Sequence, residues 1–142
     1  NLAGLYSSQS RYVEAEPLYQ QALEIYKIQL GERHPDIARS LNSLALLYAS
    51  QERYVEAEPL YQQALEIRKT ELGDCHPDTA NSLFNLAGLY HQTERSHQAL
   101  ICIRQALAIY TPILGFEHPT TRAANSWLQS IKQSLAENLN ND

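Results

Sequence analysis

Three histidines stand at equal intervals in this chain: His34, His76 and His118, each followed by a proline. Evenly spaced imidazoles invite a metal reading, but the spacing opposes it. The interval is 42 residues both times, which puts the three rings in equivalent turns of successive structural units. Neighbouring helices are already about 8–10 Å apart, whereas two nitrogens on one zinc must each lie about 2 Å from it. One ion reaches no two of these rings. Each histidine is expected to satisfy the backbone of its own turn, with no metal and no cofactor held.

Cys75 beside His76 offers a nucleophile next to a base. Sequence neighbours rarely point at each other, and no third group is placed to orient the imidazole. The matching positions one unit away hold Arg33 and Glu117, so the turn accepts unrelated chemistry. Cys75 and Cys102 lack metal-type spacing and read as two reduced thiols of a cytoplasmic protein. The recurring glutamates Glu14, Glu16, Glu24, Glu56, Glu58 and Glu66 read as solvated helix faces. Lys27 and Lys69, three residues beyond Glu24 and Glu66, add weak local pairing. No phosphate-cradling glycine loop and no nucleophile elbow occur. The reading is not an enzyme.

Composition narrows the classes further. The 142 residues are 44% hydrophobic and 19% charged, which is globular composition. The formal net charge is −5, with no cluster of lysine and arginine, so nucleic acid is excluded as a partner. No run of about 18 apolar residues exists to span a membrane. The chain has no methionine and begins at Asn1, which leads us to expect a piece of a longer protein.

What positions these residues is a repeat. Segment 8–25, SQSRYVEAEPLYQQALEI, recurs as 50–67 with the single exchange of Ser10 for Glu52. The same step carries Gly31, His34 and Pro35 onto Gly73, His76 and Pro77, then onto Gly115, His118 and Pro119. Each unit holds two helical patterns. Leu41, Leu44, Ala45 and Tyr48 form one apolar stripe, and Tyr54, Ala57, Tyr61, Ala64, Leu65 and Ile67 form another. Neither helix buries its stripe alone, so stacking must complete the core. The glycines suit left-handed helix stops, and the prolines suit first helical turns. Asp36 and Asp78 add favourable charge there. The pattern predicts helices at about 1–8, 12–30, 35–50, 54–72, 77–92, 96–114 and 119–137. Pro17, Pro59 and Pro112 fall inside second helices and predict kinks without breaks.

The spacing Leu44-Ala45-x-x-Tyr48, then Ala57-x-x-x-Tyr61-x-x-Ala64, resembles the tetratricopeptide signature. The strings RYVEAEPLYQQALEI, LGERHPD and SLNSLALLY are similar to the 42-residue repeats of kinesin light chains and their bacterial relatives. The resemblance implies an all-α fold, a right-handed α-solenoid of stacked antiparallel helix pairs. It covers residues 1–142 as one domain: a partial unit at 1–34, units at 35–76 and 77–118, and a terminal helix at 119–142. The last helix keeps Leu128, Ile131 and Leu135, departs from the leucine–alanine pattern, and reads as a cap.

The resemblance also implies that a protein or extended peptide partner lies in a concave groove lined by the first helix of each pair. If Leu41, Leu44, Ala45 and Tyr48 face the interior, the groove-side stripe carries Arg39, Asn42, Ser43 and Leu46. In the next unit it carries Asn81, Phe84, Asn85, Gly88 and His91, with Asn1 the counterpart of Asn85. An asparagine amide donates and accepts together, matching a peptide group. Arg39 offers a fork for a carboxylate, and Phe84 an apolar face. Arg39, Asn42, Asn81 and Asn85 are therefore the expected backbone clamp. Trp127 either covers the open end of the core or stands in the groove; the need to bury apolar end surface favours cover. The alternative function is a self-associating spacer whose open apolar ends stack on other copies.

Overall fold

The structure, a computed structural model, describes residues 12–31 and 33–141. Among them are six helices and no strand. They are α1 (Tyr12–Leu30), α2 (Pro35–Ser50), α3 (Tyr54–Leu72), α4 (Pro77–Gln92), α5 (Ser96–Leu114) and α6 (Pro119–Asn140). The helix expected at 1–8 lies outside the described residues. α6 runs three residues past its expected end at 137.

The histidines explain where α2, α4 and α6 begin. His34, His76 and His118 are the residues that cap these helices, with extended backbone. In each, the ring Nδ1 accepts the backbone N–H two residues on: Asp36 at 3.1 Å, Asp78 at 3.0 Å and Thr120 at 3.1 Å. The imidazole thus does the work of an aspartate or serine cap, satisfying one of the donors a helix start leaves open. The following proline has no N–H to satisfy.

Helix ends divide into two kinds. After α1, α3 and α5 stand Gly31, Gly73 and Gly115, all at positive φ. Gly115 combines φ 87° with ψ 162°, a mirror-extended conformation that is essentially glycine's alone. It is not the left-handed helical stop expected. A side-chain carbon added at these three glycines would meet nothing within 4 Å, so backbone angle, not space, demands glycine. The left-handed stops come instead after α2 and α4, at Glu52 and Glu94, each with φ 61°. Arg53 N–H donates to the Tyr48 carbonyl (2.9 Å) and Glu52 N–H to Ala49 (3.0 Å). Arg95 and Glu94 repeat this bracket onto Tyr90 and His91, the paired closure of a Schellman motif.

The prolines do not interrupt their helices: α1, α3 and α5 each continue past Pro17, Pro59 and Pro112. All three are exposed, so the carbonyl left without a donor faces solvent.

The chain divides into two compact units, Asn1–Leu72 and Gly73–Asp142. In the first, α2 packs against both α1 and α3. Its Ile37, Ala38, Leu41, Leu44, Ala45, Leu47 and Tyr48 are buried, and meet a core that includes Ala57, Tyr61, Ala64 and Ile67 of α3. In the second, α5 packs against α4 and α6. There the core takes Leu83, Leu86, Ala87, Leu89 and Tyr90 of α4 with Ala99, Ile103, Ala106 and Ile109 of α5. Each large aliphatic side chain so buried contributes about 1.5–3 kcal/mol. That gain sets the rotation of the first helices and turns their other stripe outward.

Candidate interaction surface

The outward stripe of α2 carries Arg39, Asn42 and Ser43, and that of α4 carries Asn81, Phe84, Asn85 and His91. In the first unit Arg39 is exposed and Asn42 and Ser43 are half-buried. The Arg39 guanidinium lies 3.4 Å from the Asp36 carboxylate, one turn back on the same helix, which holds the fork over the start of α2. Leu46 on the same stripe is exposed. Asn1 lies outside the described residues.

In the second unit the stripe is more committed. The Tyr110 hydroxyl of α5 donates to the Asn81 side-chain oxygen, so this amide ties α4 to its partner helix as well as edging the surface. Phe84 and His91 flank Trp127 of α6, both edge-on, with ring centroids 6.4 Å and 5.4 Å away. Edge-to-face pairs of this kind add about 0.5–1.5 kcal/mol beyond their buried area. Trp127 therefore packs against the Phe84 and His91 side of α4. His91 Nδ1 is buried and has no hydrogen-bond partner. Gly88 lies between Phe84 and His91 on the helix, and a side-chain carbon there would meet nothing within 4 Å.

The sequence reading missed a polar cluster in the first unit. Glu16 was expected on a solvated face. It is half-buried and ties α1 to α2 and to the turn before α3 instead. Tyr48 donates to Glu16 Oε1 (3.0 Å), Gln20 donates to the Tyr48 hydroxyl (3.1 Å), and Arg53 Nη1 donates to Glu16 Oε2 (2.9 Å). Arg53 also grips Glu56, its Nε donating to Oε1 at 2.9 Å, while the guanidinium lies 4.3 Å over the Tyr48 ring. Arg53 holds the Glu56 carboxyl below its ordinary range, chiefly by hydrogen bonding. The Glu56 and Glu16 carboxylates in turn raise the Arg53 guanidinium further. Burial pushes the Tyr48 phenol up, against the Gln20 hydrogen bond. A phenol raised in this way and an arginine held protonated exchange no proton near neutrality, so this cluster fastens helices. The advance signal was that Tyr48 and Arg53 recur as Tyr90 and Arg95 one step later.

Other readings meet direct geometry. Among the described residues no three His, Cys, Asp or Glu side chains gather to hold a metal ion. Cys75 is exposed and Cys102 half-buried, both as free thiols. Neither Glu24–Lys27 nor Glu66–Lys69 forms an ion pair among the described residues. Glu66 lies 3.8 Å from Arg33 instead, whose guanidinium also donates to Thr70 at 3.0 Å. No described helix is long and apolar enough to cross a membrane.

Comparison with known proteins agrees with this architecture. The chain superposes on the crystal structure of BtubC (BKLC) from P. vanneervenii with a TM-score of 0.87 at 26% identity, covering 95% of this chain and 54% of that one. It superposes equally well, at 28% identity, on a Podosopora anserina putative kinesin light chain with nearly identical TPR-like repeats, covering 95% of this chain and 64% of that one. The chain thus spans roughly half to two-thirds of these proteins. No curated protein matches it. The fold is an all-α solenoid of kinesin-light-chain-like repeats. Residues 1–70 and 44–111 both match the family model described as Tetratricopeptide repeat. Such repeats are generally protein-interaction scaffolds and typically not enzymes. With well over half of its length matched, the chain belongs to the tetratricopeptide repeat family.

Proposed function

We propose that the protein is a scaffold that holds an extended peptide segment of a partner protein on the outward stripes of its first helices. The observation that supports this most is the division of faces on α2. Leu41, Leu44, Ala45 and Tyr48 are buried, while Arg39, Asn42, Ser43 and Leu46 turn away from them. A surface of amide, hydroxyl, guanidinium and scattered apolar groups suits main-chain capture with side-chain selection. Asn81 plays a smaller part than its residue type promised, because its oxygen already serves Tyr110. Arg39 supplies charge recognition, Ser43 and Asn85 supply polar contacts, and Phe84 with Trp127 and His91 supplies an apolar seat.

Peptides selected from a random displayed library against the full chain give the probe. Arg39→Ala with Ser43→Ala, and Phe84→Ala with Asn85→Ala, are each expected to weaken binding about tenfold or more by fluorescence anisotropy. Val55→Ala, at an exposed position on a second helix, is expected to change nothing. Selected peptides that bind all of these variants alike would defeat the reading.

A further inference from the structure

The outward stripes of α2 and α4 have opposite relief. On α2 the polar Asn42 and the small Ala49 flank Leu46, which is 47% exposed. One 42-residue step later the order inverts, and Phe84 and His91 flank Gly88. Trp127 holds on α6 the place that Ser43 and Asn85 hold on α2 and α4, and it meets both flanking rings edge-on. A side-chain carbon at Gly88 would meet nothing within 4 Å. Where α2 presents a knob, α4 therefore presents a recess bordered by three rings.

Nothing in the folding of α4 calls for this glycine. Gly31, Gly73 and Gly115 have positive φ, whereas Gly88 does not. It lies inside a helix, where glycine is less stable than alanine. Packing excludes no side chain there either. A second local cost stands beside it: His91 Nδ1 is buried without a hydrogen-bond partner, which buried polar atoms rarely are. Local rules broken together in this way mark a functional place more than a structural one.

We infer that Gly88 is the specificity-determining residue of the interaction surface, and that its recess takes one aliphatic side chain of the bound peptide. The inference rests on the extended-peptide capture proposed above. Leu46 defines the size of the occupant, because it fills this place of the repeat on α2. The border defines its chemistry. Phe84 and Trp127 offer ring carbon, and an aliphatic side chain gains by leaving water against them. Leucine, isoleucine and methionine meet both conditions. A charged side chain would lose hydration with no partner to replace it. An aromatic one needs more room than an absent leucine leaves.

The test uses peptides selected from a random displayed library on the full chain. They are expected to fix leucine, isoleucine or methionine at one place. Gly88→Leu gives α4 the side chain of α2 and is expected to weaken these peptides at least tenfold by fluorescence anisotropy, with Gly88→Ala between it and the original chain. Both variants are expected to melt no lower than the original chain, since each replaces a helical glycine; lost binding is then not lost folding. Trp127 is the sole tryptophan, and its emission is expected to shift when a selected peptide binds. Peptides that bind Gly88→Leu undiminished, or that fix an aromatic or charged residue at that place, would overturn the inference and leave extended-peptide capture standing. Failure to select any peptide, or affinity unchanged by Arg39→Ala with Ser43→Ala, would remove extended-peptide capture and this inference with it.

Discussion

The first and last described helices meet solvent in opposite ways. α1 turns Tyr26, Ile25 and Ile28 outward, the last of them 83% exposed. α6 descends from the same repeat as α2 and α4, yet it replaces the residues those helices bury against a following second helix. Where α2 has Ala38, Leu41 and Ala45, α6 has Arg122, Asn125 and Gln129. It retains small or apolar residues only where it faces what comes before: Thr121, Ala124 and Ile131 are fully buried. The outer face of α6 is thus polar where that of α1 is apolar, and the side-chain types at these positions make the difference.

Substitutions at equivalent positions test this contrast most strongly. Ile67→Ala is expected to cost about 2–5 kcal/mol in urea unfolding, the range for a buried aliphatic truncated to alanine. Ile25→Ala, at the same repeat position, is expected to cost no more than about 1 kcal/mol because little of its side chain leaves water. Equal losses would mean that α1 is as enclosed as α3. Acid sharpens the picture at the junction of α1, α2 and α3. The folded-state Glu56 carboxyl lies below its ordinary value of 4.5, so its contribution is complete above that value and is lost as pH falls through the folded one. Glu56→Gln is expected to flatten that part of an unfolding-against-pH curve, and an unchanged curve would show that the Arg53 pair adds nothing. The smallest effect belongs to the helix stops. Glu52→Gly removes a side chain from a left-handed position and is expected to raise stability by up to about 1 kcal/mol. Thermal unfolding that falls instead would show that Glu52 makes contacts outweighing its strain.

Most of the fold was legible because each local signal repeats with its neighbours intact. The 42-residue step, the His-Pro turns and the buried stripes fixed α1 to α5 at their observed bounds. What remained illegible depends on contacts between helices. Glu16 reads as one more acidic surface residue until Tyr48 and Arg53 close on it. Asn81 reads as an open amide until Tyr110 reaches across from α5. Glu52 and Glu94 carry no signal for positive φ, because glutamate is an unusual choice there; the capping bonds to Tyr48 and Tyr90 impose it. At the candidate surface the sequence identified the outward stripe, and the folded chain showed how much of it is already engaged.

The capping role of the three histidines carries a chemical consequence. Each ring gives its Nδ1 lone pair to a backbone N–H, so the neutral imidazole must keep its own hydrogen on Nε2. All three side chains are thereby fixed in one tautomer, with no lone pair left for an ion or an electrophile. What looks like a ladder of potential ligands is, at the level of its electrons, already fully subscribed to starting helices.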